Sequence, residues 1–293
     1  MAIKKNSSIG ENIFDVTIHA VLVILGVVWL YPLVYVLFAS FSDPGQFIMF
    51  QGILTHPLGF SLVGYQVVFK NPNIYIGYFN TMFYMVVGTA LNVIMTAFGA
   101  YALSRKDFLL RTPITKMLVF TMYFSGGLIP NFLLIRMLGM YDTRAAIIIP
   151  GAIAAYNLIV MRTSFAALGN ELVESAKIDG ANDFTILFRI VFPLAKATIA
   201  VVLMWYAVGH YNAWLNAMIY LQDRSKFPLQ LFMREILISN STSGNVVPDS
   251  SYDQVDAIIK YCTILVGTIP ILCVFPFLQR YFVKGVMLGS LKG

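Results

Sequence analysis

Six stretches of this 293-residue chain are apolar over lengths that can cross a bilayer, and no other feature restricts its fold as strongly. A membrane helix needs about 20 apolar residues, and the runs cover about 18–41, 78–103, 116–134, 145–165, 197–221 and 257–278. Hydrocarbon offers no water to backbone N–H and C=O groups, so such runs must close their hydrogen bonds internally as helices. The chain therefore reads as an all-α polytopic membrane protein. Composition agrees: 58% of residues are hydrophobic, 12% are charged and the mean hydropathy is +0.76, which excludes an ordinary soluble globular domain. One transmembrane domain over 1–293 is expected, with outer loops at about 42–77 and 222–256 and one long loop at about 166–196 on the other face.

Six spans put both termini on one side, and Lys and Arg beside the spans are retained in the cytoplasm. With the N-terminus inside, the inner segments hold 13 of the 20 basic residues and the outer ones 7. Both termini are thus expected in the cytoplasm. The net charge of +6 then marks orientation, and nucleic-acid binding is set aside. The first run continues past the length of a signal-peptide core with no small-x-small site after it, so it is expected to stay as a helix. Cys262 and Cys273 sit in the sixth run, about 16 Å apart along a helix axis. They cannot bridge each other and read as small packing residues.

Within the inner loop, the ten residues ESAKIDGAND hold Glu174, Asp179, Asp183, Lys177 and Gly180. Apolar residues recur with helical spacing on both sides of Asp179-Gly180, at Leu172, Val173, Ala176 and Ile178, then at Phe184, Ile186, Leu187 and Ile190. Two short helices joined at Gly180 are expected. From composition alone this could be an amphipathic linker resting on the bilayer. The spacing adds more: Glu174-Ser175-Ala176, three residues, Gly180, nine residues, then Ile190-Val191-Phe192-Pro193.

That pattern resembles the cytoplasmic EAA loop of permease subunits in binding-protein-dependent ABC importers, Glu-Ala-Ala, three residues, Gly, nine residues, Ile-x-Leu-Pro. Every spacing matches; Ser175 and Phe192 are the departures. FSGGLIPNFLLIRMLGMYDTRAAIIIP, GFSLVGYQVVFKNPNIYIGYFNT and the C-terminal YFVKGVMLGSLKG are similar to the carbohydrate importers, in particular the branch for complex or polysaccharide-derived sugars and, within it, the smaller permeases of alginate-oligosaccharide systems. The resemblance implies a bacterial inner-membrane, multi-pass subunit of type I architecture. Its implied partners are a second homologous permease, an ATPase dimer, an extracytoplasmic solute-binding protein and an oligosaccharide, acidic if the alginate likeness holds.

It also implies that the loop is a coupling helix seated in a cleft of the ATPase. Gly180 would then make the turn, Glu174 would pair with a basic residue of the ATPase, and Asp179 and Asp183 would assist. Ser175 occupies a motif position, Ala176, Ala181 and Phe184 would fill the cleft, and Pro193 would end the loop. ATP and Mg²⁺ would belong to the partner, because this sequence has no G-x-x-x-x-G-K-[ST] phosphate loop. No cofactor is expected in this chain, nor a catalytic or metal site: His19 has Asp15 one turn away, a membrane-surface contact, and His56 and His210 have no comparable neighbour.

Strongly polar residues inside a span face a cavity or another helix. Asn80, Asn92 and the fifth-run set Tyr206, His210, Tyr211, Asn212, Trp214 and Asn216 are the candidates for a substrate path. Tyr206, His210 and Trp214 recur at i, i+4 and i+8 and are expected on one helix face. Aromatic rings beside hydrogen-bonding groups suit a sugar, and a protonated His210 would suit an acidic one. An interfacial aromatic belt with interhelical hydrogen bonds fits the same residues. Gly126-Gly127 with Pro130 is expected to break the third run, either as a hinge or for close packing. Gly285-x-x-x-Gly289 suggests a tail that contacts the ATPase, and the run from Pro228 to Ile238 suggests a helix lying along the membrane surface.

Two rivals remain at this stage. An ABC permease for a non-sugar solute would carry the same loop. An ion-coupled secondary carrier would need a carboxylate within a span, whereas Asp15, Glu235 and Asp256 fall at or beyond span ends.

Overall fold

A computed structural model describes residues 9–243 and 255–273, and every regular element among them is helical. Three helices are long and apolar enough to span a bilayer singly: Ile13–Ser40, Pro72–Ser104 and Val255–Cys273. Two further candidate spans are helix pairs bent at a break, Arg111–Tyr123 with Leu128–Met137 at 118°, and Asp183–Leu194 with Lys196–Tyr211 at 90°. The described residues thus hold three to five candidate spans.

The expected break in the third run is present, and Gly127, at φ +84°, lies within it. The fourth run does not form one helix. It divides into Ala145–Ile148 and Ala155–Ala166, with Pro150 and Gly151 between them, because proline cannot donate to the helical ladder. The fifth run also stops early: Lys196–Tyr211 ends at Asn212 and a new helix runs from Trp214 to Tyr220. Trp214 therefore does not continue the face of Tyr206 and His210, which corrects the expected i, i+4, i+8 stripe.

The chain divides into two compact units, Met1–Lys70 with Ile236–Val266, and Asn71–Glu235 with Gly267–Gly293. In the first, the long N-terminal helix leaves the whole of its most apolar window uncovered by protein. A helix apolar on all sides and bare of protein needs a hydrocarbon surround. Its end is tied down by Tyr65, whose hydroxyl donates to Ser40 Oγ at 2.8 Å, and by Cys262, whose Sγ lies 3.4 Å from the Ser40 carbonyl. Asp43 caps the short helix Pro44–Met49, accepting from the amides of Gly45 and Gln46, so the Asp-Pro-Gly sequence starts a helix there. His19 turns its Nδ1 to the Asp15 backbone carbonyl at 2.6 Å.

In the second unit, Pro72–Ser104 packs along Ala155–Ala166 and Lys196–Tyr211. The segment from Pro228 starts inside the protein and not on a surface. Leu229, Leu231 and Phe232 are buried with Tyr84, Ile147, Ala217 and Phe227, and the Leu229 amide donates to Thr81 Oγ1 at 2.8 Å. Its first turns are covered by protein, whereas Ile238 further along is half exposed. The Ser/Asn/Gly-rich stretch beyond Ser243, the end of the sixth run past Cys273 and the Gly285/Gly289 tail lie outside the described residues.

Candidate functional site

The loop beginning near Ala166 folds by local rules. Gly169, at φ +55°, precedes the helix Asn170–Ile178, which has Glu171 in its first turn and Lys177 in its last, both complementing the helix dipole. It ends at Asp179 and Gly180. Gly180 has φ +80°, a conformation that costs an L-residue roughly 1–2 kcal/mol, and the Ala181 amide closes the end by donating to the Ala176 carbonyl at 2.9 Å. This is the hydrogen-bond pattern of a glycine-terminated helix. Asn182 then caps the next helix, accepting from the Thr185 amide at 2.8 Å.

That second helix widens into a π-turn at Leu187–Val191 before Phe192–Leu194. Proline cannot donate to, and clashes with, the carbonyl four residues back, and a π-turn just before Pro193 relieves that constraint. The chain then bends by 90° into Lys196–Tyr211.

Two faces result. Inward, Val173, Ala176, Ile186, Leu187 and Val191 are buried with Tyr101, Met161 and Phe165. Outward, Ile178 is 86% exposed, Phe184 66% and Leu172 50%, beside exposed Glu174, Ser175, Lys177, Asp179 and Asp183. Ala176 is turned into the chain's own core and Ala181 is half-buried, while Phe184 stands out against Phe98, with ring centroids 5.9 Å apart. Asp183 accepts from the Tyr101 hydroxyl at 2.9 Å, tying the loop to the second span. Lys177 pairs with Asp107 at 3.6 Å, and a small cleft of about 150 Å³ beside them is lined by Arg105, Lys106 and Glu174. Pro193 is exposed.

The polar residues of the spans behave in the opposite way. Asn92 donates through Nδ2 to the Gly151 carbonyl, so its Oδ1 is left to accept from His210 Nε2, 2.7 Å away. Tyr206 OH lies 2.7 Å from Thr96 Oγ1 and accepts from the Ala154 amide at 2.9 Å. These bonds join Pro72–Ser104, the interruption after Ile148 and Lys196–Tyr211. All four side chains are buried, His210 at 8% exposure and Thr96 at 0%. Gly88, in the π-turn Tyr84–Gly88, makes room for the imidazole, since a Cβ there would collide with the His210 ring. Tyr211 is also buried and donates to the Gly267 carbonyl.

The remaining candidates separate from this network. Asn212 and Asn216 are exposed, and Trp214 is half-buried under Arg234, whose guanidinium carbon lies 3.7 Å from the ring centroid. Asn80 belongs to a polar clasp that sequence reasoning missed. It donates to the carbonyls of Ser225 and Phe227 and accepts from Arg144 at 3.0 Å. Beside it Asp142, at φ +55°, accepts from the amides of Gln222 and Asp223 and pairs with Lys226 at 3.4 Å. Those two amides, with Lys226 helping, hold the Asp142 carboxyl below its ordinary range. Asp223 is likewise lowered, by Ser225 first and then Lys226. One signal was available: Asp142 and Lys226 are charged residues at the expected outer ends of apolar runs. Their pairing spans 84 positions and had no local trace.

No protein-family profile matches the chain. It is 39% identical over 97% of its length to the polygalacturonan/rhamnogalacturonan transport system permease protein YtcP of Bacillus subtilis, covering 99% of that protein. It is 36% identical over 98% of its length to protein LplC of the same species, covering 97% of that protein. Among solved structures, a bacterial ABC transporter involved in the import of the acidic polysaccharide alginate contains a chain that superposes with a TM-score of 0.85 at 31% identity, covering 94% of this chain and 99% of that one. A full-length match at this identity, over an all-helical chain with long apolar spans, places the protein: it belongs to the sugar ABC transporter permeases.

Proposed function

We propose that this chain is one of two permeases in an ATP-driven, binding-protein-dependent importer of an acidic oligosaccharide, embedded in the bacterial cytoplasmic membrane. It is a single transmembrane domain with six spans and both termini inside. A homologous permease completes the path, an ATPase dimer binds below and a solute-binding protein delivers sugar from outside. ATP and Mg²⁺ are held by the ATPase. Transport proceeds by alternating access, with no covalent chemistry in this chain.

The observation that carries the reading is the loop from Glu174 to Pro193. A hairpin of short helices locked at Gly180 presents Leu172, Ile178 and Phe184 away from the chain's own core. Exposed apolar residues beside carboxylates suit insertion into a partner cleft with a polar rim. Loop displacement would reach the spans through the Asp183–Tyr101 bond and the buried residues beneath. Acidic cargo is supported by the acidic polysaccharide alginate named for the similar structure, beside the polygalacturonan/rhamnogalacturonan named for a similar permease. Asn212 and Asn216 are the exposed polar path residues, with the Trp214 ring between them, whereas Asn80, Asn92, Tyr206, His210 and Tyr211 shape the path by holding helices together.

The test is co-purification from the native host followed by an ATPase assay with the loaded binding protein. Recovery with a second permease and two ATPase copies, with hydrolysis stimulated by oligouronates, is expected. Stimulation by neutral sugars alone would overturn the acidic assignment. Unchanged coupling in Gly180→Leu would overturn the role of the loop.

A further inference from the structure

A pocket of about 570 Å³ opens beside the start of the helix Arg111–Tyr123 and is lined by Arg111, Thr112, Thr115, Lys116, Val119 and Arg162. Three of the six lining residues are cationic and none is a carboxylate. None of the three cations is in an ion pair among the described residues. Arg162 is fixed by donating from Nε to the Leu103 carbonyl at 3.0 Å. This holds its guanidinium at the end of the chain where Pro72–Ser104 finishes, the end that the proposed orientation places in the cytoplasm.

The four lining positions 112, 115, 116 and 119 share one helix face. Further along that face, Met122 and Tyr123 are exposed, Tyr123 at 79%. A basic pocket therefore passes within two turns into a bare apolar stripe. Unpaired cations at a membrane boundary attract anionic headgroups, and the stripe offers an acyl chain a course that a free anion would not use. The volume is in the range of small-ligand sites.

We propose that this pocket binds the phosphate headgroup of an anionic phospholipid of the inner leaflet, with the acyl chains along Val119, Met122 and Tyr123. Arg111, Lys116 and Arg162 supply the charge. Thr112 supplies a hydroxyl, while that of Thr115 is committed to the Arg111 carbonyl at 2.7 Å. The bound lipid would brace the third run against the helix Ala155–Ala166.

The test uses the intact importer reconstituted in nanodiscs of phosphatidylcholine doped with phosphatidylglycerol, with retained lipid counted by native mass spectrometry after transfer to detergent. Preferential retention of phosphatidylglycerol is expected, falling roughly fivefold for each cation removed in Arg111→Gln and Lys116→Gln. Thr115→Trp, which fills the pocket and keeps every charge, should abolish the preference as well. Equal retention of both lipids, or a preference unchanged in all three variants, would overturn the proposal. Displacement of the lipid by millimolar inorganic phosphate would reassign the site to a free anion. Failure of a maleimide to reach Thr112→Cys in the delipidated complex would show that another subunit fills the pocket, and would also overturn the lipid. Each failure leaves the coupling role of the loop untouched, because no lining residue belongs to it.

Discussion

The loop from Glu174 to Pro193 and the network around His210 invert each other. In a polar segment, Leu172, Ile178 and Phe184 are turned out; in apolar spans, Asn92, Thr96, Tyr206 and His210 are turned in and bonded. Each arrangement would be costly without its surroundings. Exposed apolar residues in water call for a covering partner, and polar groups in hydrocarbon call for hydrogen bonds. The contrast separates a surface left open from a scaffold that holds its own helices.

The largest effect expected on this contrast comes from Gly180→Leu. Nothing lies within 4 Å of a Cβ there, so the cost is backbone strain at φ +80°, about 1–2 kcal/mol, concentrated in the hairpin. Sugar uptake and ATPase capture should be lost while membrane insertion is kept and the melting temperature of the purified chain falls by no more than that strain accounts for. A variant that inserts and transports normally would break the comparison.

In the network the order reverses. Gly88→Val pushes a side chain into the His210 ring and should destabilise the folded chain by about 1–3 kcal/mol, read as a lower melting temperature in detergent with no selective effect on ATPase capture. Asn92→Ala leaves His210 and the Gly151 carbonyl without their partner. A loss of about 1–2 kcal/mol is expected, and unchanged stability would show the bonds to be incidental.

Phe184→Ala and Ile178→Ala should change stability by less than about 0.5 kcal/mol, as exposed positions do. They should nevertheless weaken ATPase co-purification, which sharpens the assignment of that face. The smallest effect is that of pH on the outer clasp. The Asp142 carboxyl is depressed, so its stabilising contribution is complete above its ordinary value of 3.8 and is lost only as pH falls through the lower native value. Protease access to residues 222–227 should therefore be flat from pH 5 to 8 and rise only in strong acid, and Asp142→Asn should remove that rise.

The loop from Glu174 to Pro193 was legible because its determinants are local. Gly180, Asn182 and Pro193 each act on backbone within a few residues, through a positive φ, a side-chain cap and a missing N–H. The path candidates were legible only as a list of polar residues. Whether Asn80 faces a cavity or clasps the carbonyls of Ser225 and Phe227 depends on contacts across more than 140 positions. The stripe through Trp214 failed for a related reason. Helical periodicity assumes continuity and reads the polar stretch from His210 to Asn212 as part of one helix, although the helix stops there.

By itself the amino-acid sequence determined the helical class, the apolar runs, the motif and its turn, since hydropathy, spacing and backbone stereochemistry are properties of neighbouring residues. Only the tertiary structure decided where the runs break, that the helix after Pro228 starts buried, and which polar groups are spent within the fold. Those outcomes depend on which distant groups satisfy one another once water is excluded.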